Sequence, residues 1–277
     1  MKQILLALSL GFAAITVSAQ QLKTPAPSPG QTIKQDFGLS TIELSYSRPG
    51  IKGRKIFGDV RPFGVLWRTG ANGATTLSFG DDVTIGGVLI KAGKYGLLTI
   101  PDKESWVIII TKQLDVTSPD AYKKENDVVR VNAKPIMLKE PMETFTMQFA
   151  NVKPNSCDLY LIWENTAVSL PITTDVDSKV AAQIKSLMQE DNRPYFNAAM
   201  YYMDNGKDLN QALAWFNKAA EQDPKAFWVL HQKANCLAKL GKKEEAKATA
   251  LKSIEAAKIA KNDDYVALNE KLLATLK

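Results

Sequence analysis

Residues 159–188 read LYLIWENTAVSLPITTDVDSKVAAQIKSLM, and the spacing of apolar side chains changes within them. Leu159, Leu161 and Trp163 stand opposite Tyr160, Ile162 and Glu164, the period of two that marks a half-buried strand. A last short strand, Ala167 to Ile172, is expected to end at Pro171, which has no amide proton for a ladder. After Thr173 the spacing becomes 3.6. Val180, Ile184, Leu187 and Met188 share one helical face, with Asp175 or Asp177 placed to cap its start. The chain is therefore expected to divide into a strand part, residues 31–173, and a helical part, residues 174–277.

Upstream of this switch the period of two continues. Ile42, Leu44 and Tyr46 alternate with Glu43, Ser45 and Ser47, and short strands are expected at 75–79 and 82–85. Gly86-Gly87 suits a tight hairpin, because glycine adopts positive φ at little cost, and Ala92-Gly93 is a second turn signal. Trp106-Val107-Ile108-Ile109-Ile110 is apolar throughout and rich in β-branched residues, as an inner strand would be. Val128–Val131 and the alternation of Phe145, Met147 and Phe149 add two more strands. Some eight to ten strands with no helical stretches between them lack the crossovers of a parallel sheet. The fold class expected is mainly β plus α: an antiparallel β-sandwich, with a partly closed barrel as the alternative, followed by helices.

Downstream, the helical part carries an internal repeat. Tyr195, Ala198, Ala199 and Tyr202 are followed by Gly206, Ala212, Phe216, Ala219 and Pro224, and the frame recurs around Leu230, Ala234, Leu237, Gly241, Ala246, Ala250 and Ser253. Ala212 and Ala246 are 34 residues apart, the tetratricopeptide period. This pattern resembles the tetratricopeptide family, with Lys233 on a position that is usually apolar. The resemblance implies a short array of stacked helical hairpins, often used for protein contact. Asp263 or Asp264 is expected to open a final helix.

The composition is that of a globular chain, 45% hydrophobic and 23% charged. A net charge of +6 comes from 35 basic against 29 acidic residues and is spread evenly, so no nucleic-acid footprint is read. Residues 1–19 have the form of a secretory signal peptide: a Lys, an apolar run from Ile4 to Val17, then small residues before Gln20. The run is about 14 residues, short of the roughly 20 that span a bilayer, and no later segment is long enough, so no membrane span is expected after cleavage. Residues 20–30 form a Pro-rich leader with Pro25, Pro27 and Pro29. Periplasmic or secreted placement follows. Cys157 and Cys236 are open to two readings, one disulfide or two buried thiols.

Chemistry-bearing residues concentrate at 48–58, RPGIKGRKIFG, and 67–72, WRTGAN. Arg48, Arg54 and Arg68 could ligate a carboxylate or phosphate through their forked donors, and Trp67 could stack on a ring or sugar. The competing reading has the arginines tying loops to Glu43, Asp59 or Asp36, with Trp67 in the core. Asn72 joins this candidate patch. Glu164 beside Trp163 could pair with Glu43 as in a glycosidase, if the two met across a cleft. A single histidine, His231, supplies no zinc set and no Ser-His-Asp triad, and reads as a solvent-edge or interhelical residue. Asp81-Asp82 lacks the regular oxygen loop of a calcium site. No nucleotide-binding or metal motif is present, so neither cofactor nor metal is expected and no residue is assigned as catalytic.

The long motifs RPGIKGRKIFG, WRTGANGATTLSF and VTIGGVLIKAGKYGLLTIP, in that order, resemble domain-of-unknown-function family 2911 over about residues 25–173. The resemblance implies a domain of exported bacterial proteins and carries no activity to transfer. The function expected is non-catalytic binding or scaffolding in the cell envelope, through an envelope protein partner on the helices or a small-molecule or glycan ligand. The alternative is a hydrolase or carbohydrate-active module using the Arg/Trp patch and a carboxylate.

Overall fold

The computed structural model describes residues 24–188 and 193–276, so the expected signal peptide lies outside the described residues. The chain forms two compact units that divide between Thr174 and Asp175.

The first unit holds ten strands: β1 Gly30–Phe37, β2 Ser40–Ser47, β3 Thr76–Phe79, β4 Val83–Ile85, β5 Val88–Ile90, β6 Gly93–Ile100, β7 Trp106–Thr111, β8 Asp127–Ala133, β9 Ile136–Ala150 and β10 Ser156–Thr173. One sheet runs β1-β2-β3-β6-β7-β8 and the other β5-β4-β10-β9, with every pairing antiparallel. Ile42, Leu44, Leu77, Leu97 and Ile108 of the first sheet meet Ile85, Phe145, Leu161, Trp163 and Leu170 of the second in one core. This is the antiparallel sandwich. Gly86 and Gly87 take φ of 56° and 79° in the β4–β5 hairpin. Ala92-Gly93 does a different job from a hairpin turn: it carries the chain from β5 in one sheet to β6 in the other.

Why β7 is apolar throughout is visible in its two faces. Ile108 and Ile110 enter the main core, while Ile109 joins Leu98 and Val116 in a small second core on the outer face. Gln113 Nε2 donates to Ala121 O, and its Oε1 accepts from Lys123 N, bracing the segment after β7 that carries Val116 and Tyr122 to this second core.

The two strands expected at 159–164 and 167–172 are one long strand, β10. Leu159, Leu161 and Trp163 face the core, and so do Val168, Leu170 and Ile172, so odd numbers give way to even ones. The pairing with β9 shifts register on both sides of Glu164, whose φ of 52° is left-handed. A bulge inserts residues and resets which face each side chain takes. Pro171 does not end the strand. It lies between the Ala167↔Ile136 pair with β9 and the Thr173↔Thr84 pair with β4, outside both registers.

The second unit holds six described helices: α1 Asp177–Leu187, α2 Tyr195–Asp204, α3 Leu209–Gln222, α4 Phe227–Lys239, α5 Lys243–Ile259 and α6 Asp263–Thr275. From α2 onward each packs on the next. Ala199, Ala212 and Phe216 fill one interface, and small residues of α5, Ala246, Ala250, Ser253 and Ala257, are buried where neighbouring helices approach. Gly206 and Gly241, with φ of 63° and 75°, stop α2 and α4 in the left-handed conformation that glycine tolerates. Asp175 Oδ1 accepts from Ser178 N at the start of α1. The last helix opens at Asp263, as expected, and is capped by Asn262, whose Oδ1 accepts from Tyr265 N. No helix among the described residues is long and apolar enough to cross a membrane.

Candidate functional site

The long connection between β2 and β3, residues 48–75, carries five of the six candidate residues. It is stitched to the sheets rather than free. Ile51 N donates to Glu143 O, Phe145 N donates to Pro49 O, and Trp67 exchanges both backbone hydrogen bonds with Thr99. Thr69, buried at φ 60°, follows at once, with its Oγ1 at 3.0 Å from Thr99 Oγ1 and its carbonyl accepting from Thr75 Oγ1 at 2.6 Å.

The three arginines singled out from the sequence, Arg48, Arg54 and Arg68, donate to backbone carbonyls. Arg48 Nε donates to Phe145 O at 3.2 Å and its Nη2 to Thr146 Oγ1 at 2.8 Å, which ties the end of β2 to β9 in the other sheet. Arg54 donates through Nε to Ile51 O at 2.9 Å and through Nη2 to Gly50 O at 2.7 Å. Arg68 Nη1 donates to Thr117 O, outside the sandwich core. Asn72 Nδ2 donates to Ser28 O at 3.1 Å. The expected carboxylate partners Glu43, Asp59 and Asp36 are not used, because irregular backbone left these carbonyls in need of donors.

Trp67 is not exposed for ring stacking. It is 2% accessible, its Nε1 donates to Gly70 O at 2.9 Å, and its ring stacks on Trp163 with centroids 5.6 Å apart. Phe57, Trp106 and Phe145 complete this aromatic cluster.

Glu164 sits apart from Glu43. Its Oε1 and Oε2 accept long hydrogen bonds, 3.4 Å each, from Ile56 N and Phe57 N. It borders a cavity of about 350 Å³ walled by Phe57, Phe63 and Trp106, with Lys55, Asp102 and Lys103 at the exposed rim. Glu43 lies between Ile42 and Leu44, both of which face the core, so it projects from the outer face of the other sheet and does not border this cavity. The glycosidase pair is therefore not assembled. The cavity offers both signs of charge over an apolar wall, the makings of a site for a small polar ligand.

Asp81 Oδ1 accepts from Asp82 N, and Asp82 ties β4 to the β5–β6 connection through Lys91 and Ala92 N. No set of three metal-ligating side chains gathers among the described residues. Cys157 and Cys236 are both free and buried, one in each unit. Burial, with Asp158 beside it, pushes the Cys157 thiol up to about 11, far from the range of a reactive thiolate.

Two features escaped the sequence. Arg61 sits over Trp67 with its buried Nε unpartnered among the described residues, and nothing in its local pattern marks it. His231 is interhelical and buried, and it belongs to a network that spans three helices. Its Nδ1 is 2.9 Å from Asn269 Oδ1 and its Nε2 is 3.0 Å from Asn235 Nδ2. Asn269 Nδ2 donates to Ser253 Oγ and Tyr265 O, leaving its oxygen as acceptor, which assigns the imidazole the Nδ1–H tautomer. A polar pair 38 residues apart carries no local signal.

The helical unit presents an open groove of about 1130 Å³ across α3, α4 and α5. Leu213, Leu230 and Leu237 line it with Lys233, Thr249 and Lys252. Glu221, Glu245 and Glu255 line it too; Glu221 and Glu245 pair with Lys218 and Lys242, whereas among the described residues no ion pair engages Lys233 or Lys252. Burial, then the nearby Lys252, holds the half-buried Lys233 below the usual lysine range, with Glu245 and Glu221 opposing. The position that departs from the repeat pattern is thus a half-buried cation beside the leucines of the groove.

The family described as Protein of unknown function (DUF2911) matches residues 28–172, more than half of the chain, and the chain belongs to that family. The tetratricopeptide repeat family matches residues 193–225 and 229–259, which hold α2–α3 and, from Val229 onward, α4–α5. No curated protein and no solved structure matches the chain. The chain thus joins a DUF2911 domain to a protein-interaction module of tetratricopeptide repeats.

Proposed function

We propose that the protein is exported and works in the cell envelope as a non-catalytic binding or scaffolding protein, with its helical repeats holding an extended segment of a partner. The observation that carries this reading is the groove across α3–α5, lined by Leu213, Leu230 and Leu237 and holding the half-buried Lys233, which makes no ion pair among the described residues, while the lining Glu221 and Glu245 are paired to Lys218 and Lys242. A half-buried ammonium beside leucines favours a ligand that brings a carboxylate to it and apolar side chains to either side. Export rests on the order of charged, apolar and small residues at positions 1–19. The hydrolase alternative draws less support, since Trp67 is enclosed and Glu164 and Glu43 stand on different sheets.

An array of extended peptides tests the groove. Acidic peptides with apolar neighbours should bind the full chain, their lysine-substituted counterparts should not, and Lys233→Glu should reverse that order. Binding that ignores peptide charge, or survives Lys233→Glu unchanged, refutes the assignment. Mass spectrometry of protein recovered from its native cell should find a chain that starts at Gln20, and an intact Met1 in the mature pool refutes export.

A further inference from the structure

Glu164 stands where the backbone alone would not put a glutamate. Its φ of 52° is left-handed, a conformation that glycine or asparagine takes at less cost, and the register of β9 against β10 shifts on both sides of it. Strain of this kind persists only where the surrounding structure enforces it, and it gathers at ligand sites. The bulge sets this half-buried side chain in the wall of the 350 Å³ cavity. No cation meets the carboxylate there. Its two long hydrogen bonds, 3.4 Å each, come from Ile56 N and Phe57 N, and among the described residues no ion pair engages it. The next residue, Asn165, donates through Nδ2 to Leu138 O at 3.1 Å, which leaves its side-chain oxygen as an acceptor, and it too lines the cavity.

Lys55 and Lys103 line the same cavity from its exposed rim, and neither makes an ion pair among the described residues. Lys103 Nζ stands 5.8 Å from the centroid of the Phe63 ring. Asp102 is the remaining charge, its Oδ1 accepting from Lys103 N at 2.6 Å. Two lysines and two acids give the lining no net charge. A lone cation would gain at Glu164 but meet the lysines, and a lone anion would gain at the lysines but meet the acids. A neutral ligand with separated charges suits both ends. The wall of Phe57, Phe63 and Trp106 adds a demand for an apolar group. A volume of about 350 Å³ lies at the small end of ligand sites, roughly 300–1,000 Å³, with room for one residue and not for an extended segment.

We propose that this cavity binds a free apolar α-amino acid as its zwitterion. The ammonium meets Glu164 and Asn165, the carboxylate turns to Lys55 and Lys103, and the side chain lies on Phe57, Phe63 and Trp106. The site belongs to the sandwich unit and does not rest on the helical groove. Calorimetric titration of the full chain with L-phenylalanine and L-leucine tests it, with thermal unfolding as a second reading. At least one should bind with saturation and raise the midpoint. Its analogue without the ammonium (3-phenylpropionate or 4-methylpentanoate) should bind at least about 10-fold more weakly. So should its amide, which lacks the carboxylate and imitates the first residue of a peptide. Glu164→Gln keeps an acceptor for the loop amides. It should weaken binding about 10- to 100-fold and melt with wild type when no ligand is present. Lys55→Met/Lys103→Met, at exposed positions, should weaken the amino acid but not its amide. Absence of saturable binding by both amino acids overturns the proposal, as does undiminished binding in Glu164→Gln or in the double lysine variant. A marked loss of stability in ligand-free Glu164→Gln overturns it too, since the carboxylate would then be a loop anchor. An analogue without the ammonium that binds as tightly removes the role given to Glu164. An amide that binds as tightly overturns the free amino acid in favour of a peptide end.

Discussion

Replacing Asn269 by leucine keeps the branched outline of a fully buried side chain, at somewhat larger volume, and deletes the amide that links α6 to α4 and α5. Three hydrogen bonds are lost: with His231 Nδ1 at 2.9 Å, Ser253 Oγ at 2.9 Å and Tyr265 O at 2.7 Å. They are not equal losses. Ser253 Oγ keeps its own donation to Phe227 O at 2.7 Å, and the Tyr265 carbonyl stays within the helix ladder of α6. Only the His231 Nδ1–H is left buried with nothing to accept it. Leaving a buried donor unsatisfied costs about 1–3 kcal/mol and each net hydrogen bond about 1 kcal/mol, so a loss of about 2–4 kcal/mol is expected. The double variant His231→Leu/Asn269→Leu removes the orphan itself. It also takes an acceptor from Asn235, which is half-buried and retains Gln232 Oε1 at 3.2 Å. The double variant should therefore lose about 1–2 kcal/mol less than the sum of the two single variants. Urea unfolding followed by circular dichroism at the helical minimum reads the second unit of the full chain. An Asn269→Leu midpoint within about 0.5 kcal/mol of wild type, or strict additivity in the double variant, would refute the view that this network holds the three helices together.

Arg48→Ala should destabilise the sandwich by about 1–3 kcal/mol, because it releases Phe145 O and Thr146 Oγ1 at an inter-sheet tie, and urea unfolding followed by tryptophan fluorescence should show it. Tyr122 provides a test in alkali. Partial burial, then its hydrogen bond to Asp127, pushes the hydroxyl up to about 12, above its unfolded value of about 10. A group whose folded value is raised contributes stability below pH about 10 and loses that contribution as the pH climbs through about 12. Absorbance titration of tyrosinate should accordingly show a late step that Tyr122→Phe diminishes, and a single step centred at about pH 10 for all tyrosines would contradict it.

The architecture was legible because its signals are local. Alternation at Ile42, Leu44 and Tyr46 needs only one buried face, and the Gly86-Gly87 hairpin needs only backbone that can take positive φ. The 34-residue frame of the helices likewise follows from where large and small side chains meet between neighbours. Reading β10 as two strands failed for an equally physical reason: the bulge at Glu164 shifts the core-facing positions from odd to even, and periodicity cannot separate a bulge from a break.

For the candidate site, the sequence by itself determined which residue types would gather, arginines among glycines beside a tryptophan, because irregular backbone of that length demands donors. Only the tertiary structure decided what each does. Arg48 meets a carbonyl brought within reach by a chain crossing, Arg54 turns back onto its own loop, Trp67 is sealed by Trp163 from a strand 96 residues later, and Arg61 Nε is buried without a hydrogen-bond partner among the described residues. His231 and Asn269, 38 residues apart, become partners only when α4, α5 and α6 pack. Side-chain partnership depends on distances that chain crossings and helix packing set, and no window of neighbouring residues contains them.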